Sequence, residues 1–249
     1  MTMIKEIAQL QTLLKTVEPY PAGTCPVPDM VLGTAFFPGG QGLWYGLSQA
    51  ETPVFPARGI MIVGQDYYTV CAYKKVLKKS RTGEAHPAGK AKTWIHLLKF
   101  LQEVGISPEG CFFTNLFMGL REKGKDTGKF PGAKDDGFVE RCLSFFEMQV
   151  RVQQPKLILT LGSIVPRYIA RRAEKLSLWR RFQTLTEIDA CGPVAHPVSF
   201  QGVPEHQCAV VALTHPSIRP VNVRRRRYRG EQGNEAEIRM VQEGLAAVA

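Results

Sequence analysis

Four short apolar runs in this chain each end in groups that can do chemistry. Gln65, Asp66, Tyr67 and Tyr68 follow GIMIVG (59–64), and Asn115 closes CFFTN (111–115). Gly162 and Ser163 come at the end of LILTLG (157–162), and His215, Pro216 and Ser217 follow CAVVAL (208–213) with Thr214 between. A carboxylate holds charge, an amide offers one acceptor and a donor pair in one plane, and an imidazole both donates and accepts. Taken singly, each has an ordinary structural use: Asp as a turn or helix cap, Asn as a turn residue, His as a satisfied structural side chain. Their recurrence at four run ends points to one shared crevice.

The runs are continuous rather than alternating, the pattern of strands buried on both faces. Amphipathic segments near 90–104, 135–153 and 163–182 separate them, with a last helix near 234–247. Strand and helix alternation predicts an α/β fold, a three-layer αβα arrangement around a central four-stranded, mainly parallel sheet. In such sheets ligands bind outside the carboxyl ends of the strands, where the polar sets stand. Ile4, Ile7, Leu10, Leu13 and Leu14 predict a helix within Met3–Lys15, followed by a long Pro- and Gly-rich connection from Pro19 to Gly42. The expectation is one domain over 1–249, with an N-terminal helix and loop in 1–50 and a core over about 55–230.

The composition is that of a globular protein, 44% hydrophobic and 22% charged over 249 residues. Lys and Arg number 32 against 22 Asp and Glu, a net +10, and such an excess suggests a polyanionic partner such as nucleic acid. No run of about 18 apolar residues is present and the N-terminus lacks the order of a signal peptide, so no membrane association is expected. The expected location is the cytoplasm, around the nucleoid, for a bacterial protein and the nucleus for a eukaryotic one. Cys25, Cys71, Cys111, Cys142, Cys191 and Cys208 are scattered without a C-x-x-C pair, so neither a metal nor a cluster is expected, and Cys111 and Cys208 read as buried thiols.

GQDYY (64–68) resembles the water-activating motif of the uracil-DNA glycosylases, and THPSIR (214–219) resembles their His-Pro-Ser motif with its DNA-penetrating loop. FFTNLF (112–117) fits the strand-terminal Asn that reads uracil, and TLGSIV (160–165) the Gly-Ser loop that pinches the DNA backbone. The matches keep the family order over about residues 55–230. The resemblance implies a cofactor-free monofunctional enzyme that hydrolyses the N-glycosidic bond of uracil in DNA, leaving an abasic site for base excision repair. Its partners would be uracil-containing DNA, single- or double-stranded, and the abasic product, with a monomer expected for an enzyme that scans DNA.

Under this resemblance Asp66 and His215 are the catalytic pair: the carboxylate orients water and opposes positive charge on the sugar, while the imidazole donates to uracil O2 as the base departs. One such preorganised donor contributes about 3 kcal/mol. Asn115 matches the Watson–Crick edge of uracil. Tyr68 takes the place of the tyrosine that excludes the thymine methyl, and Gln65 in the same motif is a further substrate-binding candidate. Ser163 and Ser217 would contact phosphates. Extruding the base leaves a gap in the stack, for which Arg219 is the candidate filler and Ile218 the alternative wedge. Arg224, Arg225, Arg226 and Arg227 would meet the backbone nearby, with Lys74, Lys75, Lys78 and Lys79 as a second basic patch.

The chain departs from the founding motif at Tyr67 and Thr69, which replace Pro and His. The ring that stacks on uracil is open between His86 and an aromatic such as Phe117. Two rivals remain: a slow or non-catalytic binder of uracil or abasic DNA on the same fold, and an unrelated α/β hydrolase or nucleotide enzyme. For the second, no Gly-x-Ser-x-Gly elbow, P-loop or dinucleotide fingerprint is present.

Overall fold

The computed structural model describes residues 4–28, 35–46, 53–81 and 91–248. The chain opens on helix α1 (Lys5–Leu14), then β1 (Thr24–Cys25) and β2 (Ile60–Gly64). Helices α2 (Val70–Arg81) and α3 (Lys92–Glu103) lead to β3 (Cys111–Asn115) and the two-residue β4 (Leu120–Arg121), which pairs with β1. Helix α4 (Asp136–Gln153) precedes β5 (Leu157–Leu161), α5 (Ile164–Ile169) and α6 (Leu185–Cys191). Strands β6 (Val194–Phe200) and β7 (Val203–Leu213) follow. A helical turn α7 (Arg219–Asn222), the small hairpin β8 (Arg227–Tyr228) and β9 (Glu231–Gln232), and α8 (Gly233–Ala246) complete the order.

The central sheet has five strands in the order β3-β2-β5-β7-β6. Its first four are parallel and correspond to the four apolar runs, each residue of β2, β3 and β5 being buried, as strands covered on both faces require. The sheet is thus wider than the four strands expected. β6 was missed because its run, VAHPVSF, is broken by His196 and Pro197; an antiparallel edge strand paired on one side tolerates both.

Two apolar layers cover the sheet. One joins α1 and α4 to Met61, Phe112, Ile158 and Val210, and the other joins α3 and α8 to Ile62, Phe113, Leu159 and Val211. Helix α4 starts where the Asp135 carboxylate accepts from Phe138 N at 2.7 Å, and α6 where Thr184 and Glu187 form a reciprocal capping box. The continuous helix expected over 163–182 is instead α5 followed by 3₁₀ turns. Ala170, Ala173, Leu176 and Trp179 are the buried residues there, and their spacing of three suits the 3₁₀ period better than 3.6. No helix among the described residues is long and apolar enough to cross a membrane.

Candidate functional site

Because β3, β2, β5 and β7 run parallel, their carboxyl ends share one edge of the sheet, and the four polar sets line it. Gly64 and Asn115 face each other at the last rung of β2 and β3. The Asn115 side chain, buried, crosses the face of Gly64 so closely that a Cβ on Gly64 would lie 2.2 Å from Asn115 Oδ1. The partly buried Phe36 ring borders the same point, 3.5 Å from that Cβ position. The Tyr67 hydroxyl is buried against Asn115, and burial pushes its pKa well above 10.

One strand further on, Gly162 adopts φ +86°, which glycine tolerates, and its open side lies against the His215 side chain. Gly162 N donates to Leu213 O at 2.8 Å, joining the ends of β5 and β7. Ser163 follows as the half-buried residue before α5. His215 Nδ1 lies 2.8 Å from Ser217 Oγ and accepts from the Ser217 backbone N–H at 3.3 Å. That amide can only donate, so Nδ1 is the acceptor and Nε2 carries the proton in the neutral ring. Burial lowers the His215 pKa and favours the same neutral form. From α3, His96 Nδ1 meets Pro216 O at 2.8 Å, bracing the turn that carries His215.

Asp66 has a partner that sequence reasoning missed. Arg121 Nε donates to Asp66 Oδ1 at 3.0 Å and Nη2 to Oδ2 at 2.8 Å, with both side chains nearly enclosed. Burial raises the Asp66 pKa, the Arg121 hydrogen bonds and charge and a Gln65 hydrogen bond oppose it, and Asp126 adds to the rise. A loop, 122–129, lies along the same segment: Gln65 Nε2 donates to Gly128 O at 3.0 Å and Thr69 N to Asp126 Oδ1 at 2.9 Å. Tyr68 stands 41% exposed between them. Arg121 closes the two-residue β4, six residues beyond Asn115, and an isolated Arg after FFTNLFMGL gives no periodic signal.

The arginines need correction. Arg219 does not project outward: Nη1 pairs with Glu237, Nη2 donates to Asn234 Oδ1 at 2.6 Å, and Cζ sits 3.9 Å from the Phe100 ring centroid. Entering a DNA stack would break all three contacts and take one of its two arginine partners from Glu237, which is fully buried. Arg226 is likewise interior, 1% exposed, with Asp189 at 2.7 Å and Glu237 at 2.5 Å. The same Glu237 accepts from Thr214 N at 2.6 Å, so these ion pairs anchor the residue before His215. Arg224, Arg225 and Arg227 are exposed, as are Lys74, Lys75, Lys78 and Lys79 on α2.

Ile218 is 49% exposed and Val221, not singled out by the sequence, 57%, on the turn where the wedge was expected. Ser217 is half-buried beside His215. Phe117 lies in the core, stacked on Phe130 at 5.2 Å and edge-on to Tyr168, so it offers no face to a base. His86 lies outside the described residues. Cys111 and Cys208 are buried free thiols, as expected.

Residues 56–234 match the family model described as the Uracil DNA glycosylase superfamily. The comparison with curated proteins finds no match.

Proposed function

The chain belongs to the uracil DNA glycosylase superfamily, a DNA glycosylase-type enzyme acting on DNA, and from that membership we propose a monofunctional uracil-DNA glycosylase. It cleaves the bond between C1′ and N1 of deoxyuridine, water supplying the oxygen that joins C1′, and leaves an abasic site. The observation that carries this reading is His215 held as a neutral Nε2–H donor at the sheet edge it shares with Asp66 and Asn115. As the glycosidic bond breaks, its electron pair moves onto uracil, and a neutral donor aimed at O2 stabilises that anion without giving up its proton. Asp66 orients water and opposes the positive charge of the sugar. Asn115, pressed against Gly64, presents its amide to the N3–H and O4 edge of uracil.

Phe36 takes the role of the ring beside the base, since Phe117 is committed to the core and Phe36 borders Asn115. Ile218 is the wedge that fills the vacated stack, and Arg224, Arg225 and Arg227 supply backbone charge nearby. The motifs place Asp66 and His215, and no lysine, at the reacting positions, so the proposed excision is hydrolysis by water without strand cleavage through a Schiff base.

A second reading, slow turnover with tight damage binding, is favoured by the enclosure of the Asp66 carboxylate under Arg121. End-labelled oligonucleotides carrying one uracil, single-stranded and opposite G or A, decide between them after alkali treatment. Cleavage at uracil and not thymine, reduced at least tenfold in Asp66→Asn and His215→Ala, supports excision. Absence of cleavage with salt-sensitive binding to uracil or abasic DNA overturns it in favour of the binder.

A further inference from the structure

Arg121 spends its whole hydrogen-bonding capacity at the end of β2. A guanidinium has five N–H donors. Nε and one Nη2 hydrogen go to the two oxygens of Asp66, at 3.0 and 2.8 Å. Nη1 donates to Thr127 O and Lys129 O at 3.2 and 3.1 Å, and the second Nη2 hydrogen to Gly128 O at 2.8 Å. The guanidinium also lies 5.7 Å from the Phe130 ring centroid. Its backbone is tied in as well: Arg121 N donates to Tyr68 O at 3.2 Å, and Thr69 and Arg121 form an isolated parallel bridge. One side chain thus joins the carboxylate to three successive carbonyls of the 122–129 loop, whose Lys123, Lys125 and Lys129 face solvent.

We propose that Arg121 is the positioning residue of this site, locking the Asp66 carboxylate and the lysine-bearing 122–129 loop into a single unit. The idea rests on the excision reading for its consequence in catalysis, while the coupling itself is independent of it. Bidentate pairing takes one lone pair from each Asp66 oxygen, so even with the Gln65 hydrogen bond the carboxylate keeps acceptor capacity for a water, in a plane set by the guanidinium. Arg121 also favours the charged form of that carboxylate against its burial, through both its hydrogen bonds and its charge, with a Gln65 hydrogen bond helping and Asp126 opposing. Lysine cannot replace it: an ammonium has three donors and no fork.

The test uses the intact protein with Arg121→Gln and Arg121→Lys. Carboxyl ¹³C NMR follows the titration of Asp66, assigned by its loss in Asp66→Asn. Trypsin cleavage after Lys123, Lys125 and Lys129 follows the loop. In Arg121→Gln, Asp66 is expected to titrate about 1–3 pH units higher, and the acid limb of single-turnover uracil excision to move with it. Arg121→Lys should hold the titration near that of the unaltered protein yet speed loop cleavage as much as Arg121→Gln, at least tenfold. In the unaltered protein the Arg121 Nε–H should be protected from exchange and shift as Asp66 titrates. A freely exchanging Nε–H overturns the proposal without any variant, as does an Asp66 titration and loop cleavage unmoved in both variants. If the unaltered protein excises no uracil, the functional reading fails, while the titration and cleavage still decide the role of Arg121.

Discussion

Gly64 and Asn115 stand opposite each other at the last rung between β2 and β3, with no room for a side chain between them. The amide therefore holds its place only because position 64 lacks a Cβ. Gly64→Ala would put a methyl 2.2 Å from Asn115 Oδ1 and force the amide aside. Excision of uracil by Gly64→Ala should fall to the level of Asn115→Ala, with circular dichroism unchanged; retention of near-normal kcat/KM would show that Asn115 does not read the base.

The state of His215 sets a pH dependence. Its folded pKa lies below the ordinary 6.5, so the ring stays neutral until the pH falls through that lowered value, where Nδ1 protonates and no longer accepts from Ser217 N–H. Asp66, with a raised folded pKa, loses its charge in the same direction. Single-turnover excision should therefore show an acid limb and no alkaline limb near neutrality. His215→Ala should slow excision by about 10²–10³ at the plateau. Nitrogen NMR at pH 7 should report the Nε2–H tautomer, and an Nδ1–H ring would contradict the assignment.

For stability the two groups act oppositely. Lowering the pH below about 6.5 costs the fold the neutral His215, because the unfolded chain takes up that proton first. Asp66 binds its proton more tightly folded than unfolded, so it contributes a gain as the pH falls through its raised folded value toward the ordinary carboxylate range. Thermal melts of Asp66→Asn and His215→Ala, followed from pH 7 down to about pH 4, should differ from the unaltered protein in slope with opposite signs.

The arginine run should divide by burial. Arg226→Ala removes one partner from Asp189 and Glu237 and should cost about 3–5 kcal/mol, read as a large fall in Tm. Arg224→Ala and Arg225→Ala should leave Tm unchanged and weaken DNA binding, each lowering the salt slope by about one. Equal losses of DNA affinity without destabilisation at all three positions would contradict the inward placement of Arg226.

Ile218 and Arg219 should separate in the same way. Ile218→Ala is expected to slow excision from duplexes more than from single strands, because only a duplex leaves a gap to fill. Arg219→Ala should lower Tm, because buried Glu237 keeps only Arg226 as an ion-pair partner and Phe100 loses the guanidinium packed on its ring. Measuring both variants on both substrates checks this, and a duplex-specific defect confined to Arg219→Ala would reverse the roles.

The elements that carry chemistry were largely readable along the chain. Four continuous apolar runs alternating with amphipathic segments read as parallel strands, and parallel strands bring their ends to one edge, so Asp66, Asn115, Gly162 and His215 could be gathered from the sequence. β3 matches its run residue for residue, and β7 extends five residues earlier because its polar start, Val203–Gln207, pairs only at the edge. α2 shows its helical period in Val70, Tyr73, Val76 and Leu77, a signal masked by the four lysines interleaved with them. What the sequence could not supply was direction. A run of arginines looks equally charged at every position, and which one turns inward depends on Asp189 and Glu237, brought to it from 37 residues before and 11 after. Arg121 meets Asp66 across 55 residues for the same reason. Periodicity decides strands and helices because neighbours along the chain share a backbone repeat; the partner of a buried charge is chosen by packing, which only the tertiary structure decided.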